Sequence, residues 1–226
     1  RTVFQRRLAS STRAICESLG RRRKKLQELL DELGGLTPSQ RSKRIVQLQG
    51  RNIDVEEDDG DLDDAARDTL LDETVVEFEI NRLQAEIAAL QELIEQAARV
   101  KDHAHDSKLN ALQQCLTEAE FRDLTDGRGK LLIFTEHRDT LIHVKEHLES
   151  LGYSTCEIHG GMNPHERKRA QEEFRSSKQI CIATEAAGEG INLQFCHLMI
   201  NYDMPWNPTR LEQRLGRIHR IGQNRE

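Results

Sequence analysis

Residues 131–161 read LLIFTEHRDTLIHVKEHLESLGYSTCEIHGG. The stretch opens on four consecutive apolar residues, Leu131-Leu132-Ile133-Phe134. A short run that does not alternate with polar residues predicts a strand covered on both faces. Residues 140–150 then carry apolar side chains at helical intervals, and Gly152 follows as a stop. A second short run occupies 155–158. Strand, helix and strand in about thirty residues make the repeating unit of a parallel sheet.

The same grammar continues downstream. A helix is predicted over 164–174, strands over 180–183 and 198–202, and a helix from Asn207-Pro208 to about 217. The fold class expected is therefore α/β, a parallel sheet with helices on both faces. Right-handed crossovers put every strand's carboxyl end on one edge, and open α/β sheets bind ligands there. Four polar or glycine-rich segments lie just beyond those ends: Phe134-Thr135-Glu136-His137, His159-Gly160-Gly161-Met162, residues 184–192 (TEAAGEGIN) and residues 203–208 (DMPWNP). Together they outline a binding rim.

Upstream the pattern is only helical. Leu8, Ile15, Leu19, Leu26, Leu30 and Leu33 recur at the spacing of one continuous helix, which Gly34-Gly35 ends. Val76, Ile80, Leu83, Ile87, Leu90, Ile94 and Ala97 alternate steps of four and three, the seam of a coiled coil. These stretches predict an antiparallel helical hairpin acting as a structural arm. The domain division expected is a helical insertion over 1–105 and an α/β lobe over 106–226.

Composition bounds the function. The chain has 226 residues, 36% apolar and 32% charged. Aromatics are 4%, too few for a rich base-stacking surface. No apolar run approaches the roughly 20 residues of a membrane span, and no charged-then-apolar leader opens the chain. A cytoplasmic protein without membrane contact is expected, and a first residue Arg1 suggests a piece of a longer chain. Cys16, Cys115, Cys156, Cys181 and Cys196 are odd in number and form no C-x-x-C pair, so free thiols are expected. The net charge of −6 conceals +8 over residues 1–50 and −11 over 51–80. Residues 54–64 hold eight carboxylates and read as a solvated loop, since Asp59-Gly60-Asp61 lacks the register and closing Glu of a calcium loop. The pairs His103/His105 and His143/His147 lack the Glu of H-E-x-x-H and a third ligand, so no metal site is expected.

The last predicted helix bears on chemistry. Arg210, Arg214 and Arg217 share one face at steps of four and three. Leu211, Leu215 and Ile218 share another, expected to pack on the sheet. Gly188 and Gly190 leave amides bare in the third rim loop. Guanidinium groups beside such a loop suit phosphate oxygens.

Here the residues resemble a known family. Residues 184–192, followed by QRLGRIHRIGQ over 213–223, resemble motifs V and VI of the superfamily-two helicases, in their Swi/Snf-type branch. Leu132-Ile133-Phe134-Thr135 resembles motif IV, and Ile158-His159-Gly160-Gly161 with Arg167 and Phe174 resembles the segment after it. Residues 107–116 resemble the lead-in helix of the second RecA-like lobe, and residues 201–208 (NYDMPWNP) resemble bacterial members. The resemblance implies that Arg217 and Arg220 are catalytic arginine fingers for ATP. It implies that Gln213, Gly190 and Asn192 lie at the nucleotide, and that Thr135, His159, Gly160 and Thr184 contact a nucleic-acid backbone. Glu185 and Glu189 depart from many eukaryotic members.

Neither G-x-x-x-x-G-K-[ST] nor an Asp-Glu-x-His box occurs in the sequence. The resemblance therefore implies that a first RecA-like lobe of the same polypeptide supplies the phosphate loop and the Mg2+ carboxylate. ATP and Mg2+ are the cofactors expected of the intact protein, with neither binding nor hydrolysis by this fragment alone. Duplex DNA is the track expected. An RNA-directed motor, or an inert interaction module built on the coiled-coil arm, are the alternatives. Arg21-Arg22-Arg23-Lys24-Lys25 reads equally as a phosphate contact and as a solvated helix face.

Overall fold

The four apolar runs are strands: β1 (Leu131–Thr135), β2 (Thr155–Ile158), β3 (Ile180–Thr184) and β4 (Leu198–Asn201). The computed structural model describes residues 2–37, 39–41, 43–44, 80–103, 106–118, 121, 124, 129–185, 193, 195–205 and 207–218, without the side chains of 2, 101–103, 217 and 218. The acidic loop 54–64, Val76 and His105 lie outside the described residues, as does the side chain of His103. The chain divides into two compact units: Arg1–Leu8 with Thr12–Ala104, and Ala9–Ser11 with His105–Glu226.

The first unit contains α1 (Thr2–Ser10) as far as Leu8, α2 (Thr12–Gly34) and α3 (Ile80–His103). The stripe Ile15, Leu19, Leu26 and Leu33 on α2 buries against Leu83 and Leu90 of α3, with Ile87 and Ile94 at the margin. Arg22 of α2 pairs with Glu86 of α3 at 2.6 Å. Within the basic run, Arg23 donates to Gln91, and Lys24 stands 3.9 Å from Glu28. The continuous helix expected from Leu8 onward is broken at Ser11, and Leu8 is 59% exposed. Helical spacing alone cannot detect this break, because its cause is tertiary. The hydroxyls of Ser10 and Ser11 are used within the second unit, as described below.

In the second unit the sheet order is β2-β3-β1-β4, and every pair is parallel. Leu132 and Phe134 face one core, shared with Cys156, Ile158, Cys181, Ala170 and Phe174. Leu131 and Ile133 face the other, shared with Ile180, Ile182, Leu141, Val144, Leu148, Leu109 and Leu112. Two apolar faces explain why β1 does not alternate. The helices on those faces are α4 (Ser107–Leu116), α5 (Arg138–Ser150) and α6 (Pro164–Ser176), with α7 (Pro208–Ile218) after β4. The fold is the RecA-like α/β lobe.

Local chemistry sets the boundaries. Asp106 caps α4 by accepting from the amides of Lys108 and Leu109, both at 3.1 Å. Asn163 and Glu166 form a reciprocal capping box on α6, with Pro164 in its first turn. Gly152 turns the chain out of α5 at φ +88°, where a side chain would strain the backbone. None of the five cysteines forms a disulfide, and Cys156, Cys181 and Cys196 are buried. Burial pushes the Cys196 thiol up to about 12. No described helix is long and apolar enough to cross a membrane.

Candidate functional site: the carboxyl edge of the sheet

Parallel pairing brings the strand ends together. Thr135 and Thr184, the last residues of β1 and β3, are register partners and both are buried. The Tyr202 amide, just past β4, donates to the Phe134 carbonyl at 2.8 Å. His159 follows β2 directly and is buried.

Asp203 is the polar centre of this edge. Its Oδ2 accepts from Thr135 Oγ1 at 2.6 Å, Ser10 Oγ at 2.6 Å and the Glu136 amide at 3.1 Å. Its Oδ1 accepts from Lys108 Nζ at 2.7 Å. Burial would raise the Asp203 pKa, but the Lys108 ammonium and the hydroxyl donors outweigh it and hold the carboxyl below its ordinary value. Lys108 also donates to the Ala9 and Ser10 carbonyls and lies 4.2 Å from the centre of the Tyr202 ring. Ser10 and Ser11 both reach Thr140 Oγ1, at 2.6 and 2.8 Å. Three residues of a distant segment are thus built into the lobe.

Arg214 of α7 occupies the adjacent position and is 3% exposed. Its Nη1 donates to the Asn201 side chain and to the Asp203 carbonyl, each at 2.8 Å. Its Nη2 pairs with Glu185 Oε1, while Arg210 Nη1 pairs with Glu185 Oε2. The Arg214 guanidinium also lies 5.2 Å from the centre of the Phe134 ring. The leucine face of α7 was expected to pack on the sheet, yet Leu215 is 46% exposed. Leu211 is half-buried, and the acceptors of Asn201, Asp203 and Glu185 bury Arg214 on the same helix. Arg210 and Arg214 therefore hold the lobe together rather than forming a face free for phosphate.

The turn after β2 is set by Arg167. Its Nε donates to the Met162 carbonyl at 3.0 Å and its Nη2 to the Gly160 carbonyl at 2.9 Å. The Met162 amide closes the turn on the His159 carbonyl at 3.1 Å.

The structure thus brings Thr135, Thr184, His159 and Gly160 to one edge. The Thr135 hydroxyl is already committed to Asp203. Gln213 is exposed on α7. The helix includes Arg217, whose side chain is outside the description. Gly188, Glu189, Gly190, Asn192 and Arg220 lie outside the described residues. Sequence reading missed Asp203, Lys108 and Ser10 as site components. The one available signal was a carboxylate directly after a strand end, at the start of a rim loop. Among the described residues, no group of three His, Cys, Asp or Glu could hold a metal. The carboxylates nearest the edge, Asp203 and Glu185, are engaged with Lys108, Arg210 and Arg214, a donor set that does not suit Mg2+.

Comparison with known proteins agrees with this architecture. The helicase conserved C-terminal domain matches over residues 107–222, just over half of the chain. The uncharacterized ATP-dependent helicase YqhH of Bacillus subtilis is 54% identical over 97 residues, 43% of this chain and 17% of that protein. The RNA polymerase-associated protein RapA of Vibrio parahaemolyticus is 35% identical over 126 residues, 54% of this chain and 12% of that protein. Among solved structures, the C-terminal part of the Fun30 ATPase domain gives a TM-score of 0.48 at 23% identity, covering 68% of this chain and 53% of that one. The chain spans less than a fifth of the length of either curated relative. With a parallel lobe, its strand-end rim and a matching family over the same residues, the chain belongs to the helicase conserved C-terminal domain family.

Proposed function

We propose that this chain is the C-terminal motor half of an ATP-dependent translocase acting on duplex DNA. The observation that carries the reading is convergence: Thr135, His159-Gly160 and Thr184 meet on the sheet edge beside which Arg214 and Glu185 seat α7. A glycine turn at a strand end suits a polyanionic backbone, where contacts position without reading sequence. Binding should accordingly be salt-sensitive. An ATP-dependent helicase among the relatives supports nucleotide as the fuel.

In this account ATP and Mg2+ are held chiefly by a first RecA-like lobe elsewhere in the polypeptide. This lobe contributes Gln213, Gly190 and Asn192 to the nucleotide. Arg217 and Arg220 contribute charge to the transferring phosphoryl group. Thr135, His159, Gly160 and Thr184 hold the track. Lobe closure brings the arginines to the phosphates, and reopening after hydrolysis advances the lobe along the duplex.

ATP turnover tests the reading. The intact polypeptide should hydrolyse ATP, with duplex DNA stimulating it more than single strands or RNA. The 226-residue chain alone should not hydrolyse it. Absence of nucleic-acid stimulation in the intact protein would favour the inert interaction module, and stronger stimulation by RNA would favour an RNA track.

A further inference from the structure

Glu185 is the first residue past β3, directly after Thr184. One oxygen of its carboxylate receives Arg210 and the other receives Arg214. The two arginines are one helical turn apart on α7, so a single side chain fixes two successive points along the helix. Arg214 extends the hold through its second nitrogen to Asn201 and the Asp203 carbonyl, on the far side of β1 from β3. Arg214 is almost fully buried and the Glu185 side chain is 14% exposed. This is therefore a desolvated clamp, unlike the solvated ion pairs that contribute little.

A helix held at Arg210 and Arg214 has its next turn, which begins at Leu215 and includes Arg217, set in both rotation and advance. We propose that Glu185 is the positioning residue for the arginine-bearing end of α7. It fixes where Arg217 is presented without itself touching nucleotide or nucleic acid. The proposal deepens the motor reading and rests on it, because it assigns Glu185 a task only if Arg217 acts on the phosphates.

The geometry accounts for the residue type. A neutral amide offers one acceptor oxygen, and its NH2 group would face the second guanidinium. Aspartate is one methylene shorter and reaches fewer of the donors. Glutamate alone among the side chains spans both arginines from this backbone position with a full negative charge. Thr184, its neighbour, has been placed on the nucleic-acid side, so the strand end would serve the track through one residue and the helix through the next.

The test uses the intact polypeptide with ATP and duplex DNA. Glu185→Gln should lower kcat on the order of ten- to a hundredfold, as expected for a displaced catalytic group. The KM for ATP and the Kd for duplex DNA should stay within about twofold, because binding by the other groups persists. Glu185→Asp should fall between wild type and Glu185→Gln. Arg217→Ala, measured alongside, separates the two levels of the account. If Arg217→Ala turns over normally, the arginine-finger role of Arg217, on which the proposal rests, fails. If Arg217→Ala is inactive while Glu185→Gln keeps more than half the wild-type kcat, the positioning role alone is overturned. A DNA affinity loss that matches the kcat loss would also overturn it, since Glu185 would then act on the track. Should Glu185→Gln fold poorly, the double variant Glu185→Gln/Arg214→Gln removes the unmatched buried charge. It should fold and remain slow, and wild-type turnover by it would overturn the proposal.

Discussion

Thr135 Oγ1 donates to Asp203 Oδ2 at 2.6 Å across the ends of β1 and β4. This bond ties the end of β1 to the loop after β4, an edge strand, through a buried carboxylate. Lys108 from α4 and Ser10 from the far end of the chain complete its shell. A rim built in this way is rigid before any ligand arrives, as positioning contacts to a backbone require.

Removing the carboxylate should be costly. Asp203→Ala leaves the Lys108 charge and the hydroxyls of Ser10 and Thr135 without their common acceptor. A loss of about 3–5 kcal/mol in stability is expected. Urea unfolding of the chain checks this, with the midpoint of the lobe's transition shifting downward. A loss below about 1 kcal/mol would mean that the shell is solvated and replaceable.

Acid should destabilise the lobe in two stages. His147 has its pKa lowered from the ordinary 6.5, first by burial and then by the nearby His143. Proton uptake there favours the unfolded chain, so stability declines as pH falls below 6.5. Asp106 and Asp203 lie below the ordinary 3.8, because bonds from His143 and the Lys108 charge outweigh the opposing effect of burial. Their contribution is full above 3.8 and is lost as pH falls through the lower folded values. Thermal unfolding from about pH 8 to about pH 3 should show both declines. His147→Gln should remove part of the first, and Asp203→Asn part of the second. A wild-type Tm independent of pH over this range would contradict the assignment.

The strands were legible because their signal is local. Residues 131–134, 155–158, 180–183 and 198–202 are short apolar runs between helices, and the observed strands differ from them by at most one residue at an end. The carboxyl-edge rim followed from parallel topology. Three features were not legible. The break at Ser10-Ser11 interrupts no helical spacing, because it serves Asp203 and Thr140 far along the chain. The burial of Arg214 on α7 depends on three acceptors that come from separate elements, so leucine spacing alone could not show it. Asp203 looks like any loop carboxylate until donors up to 193 residues away converge on it.

The turn after β2 offers a nucleic-acid prediction. Arg167→Ala releases the Gly160 and Met162 carbonyls, loosening the turn that presents His159 and Gly160. Affinity of the intact protein for duplex DNA should fall about three- to tenfold and by a similar factor for unrelated sequences, because backbone contacts carry no sequence information. Fluorescence anisotropy at fixed salt measures this. An effect confined to particular sequences would contradict a backbone role.

The central claim is that this lobe lends arginine charge to a triphosphate held by another lobe. Arg220→Ala in the intact polypeptide, assayed for ATP turnover at saturating duplex DNA and for ATP binding, tests it most directly. Turnover should fall about a thousandfold or more, as for a lost arginine finger, while ATP still binds within a few-fold of wild type. Turnover near wild type in that variant would contradict the claim.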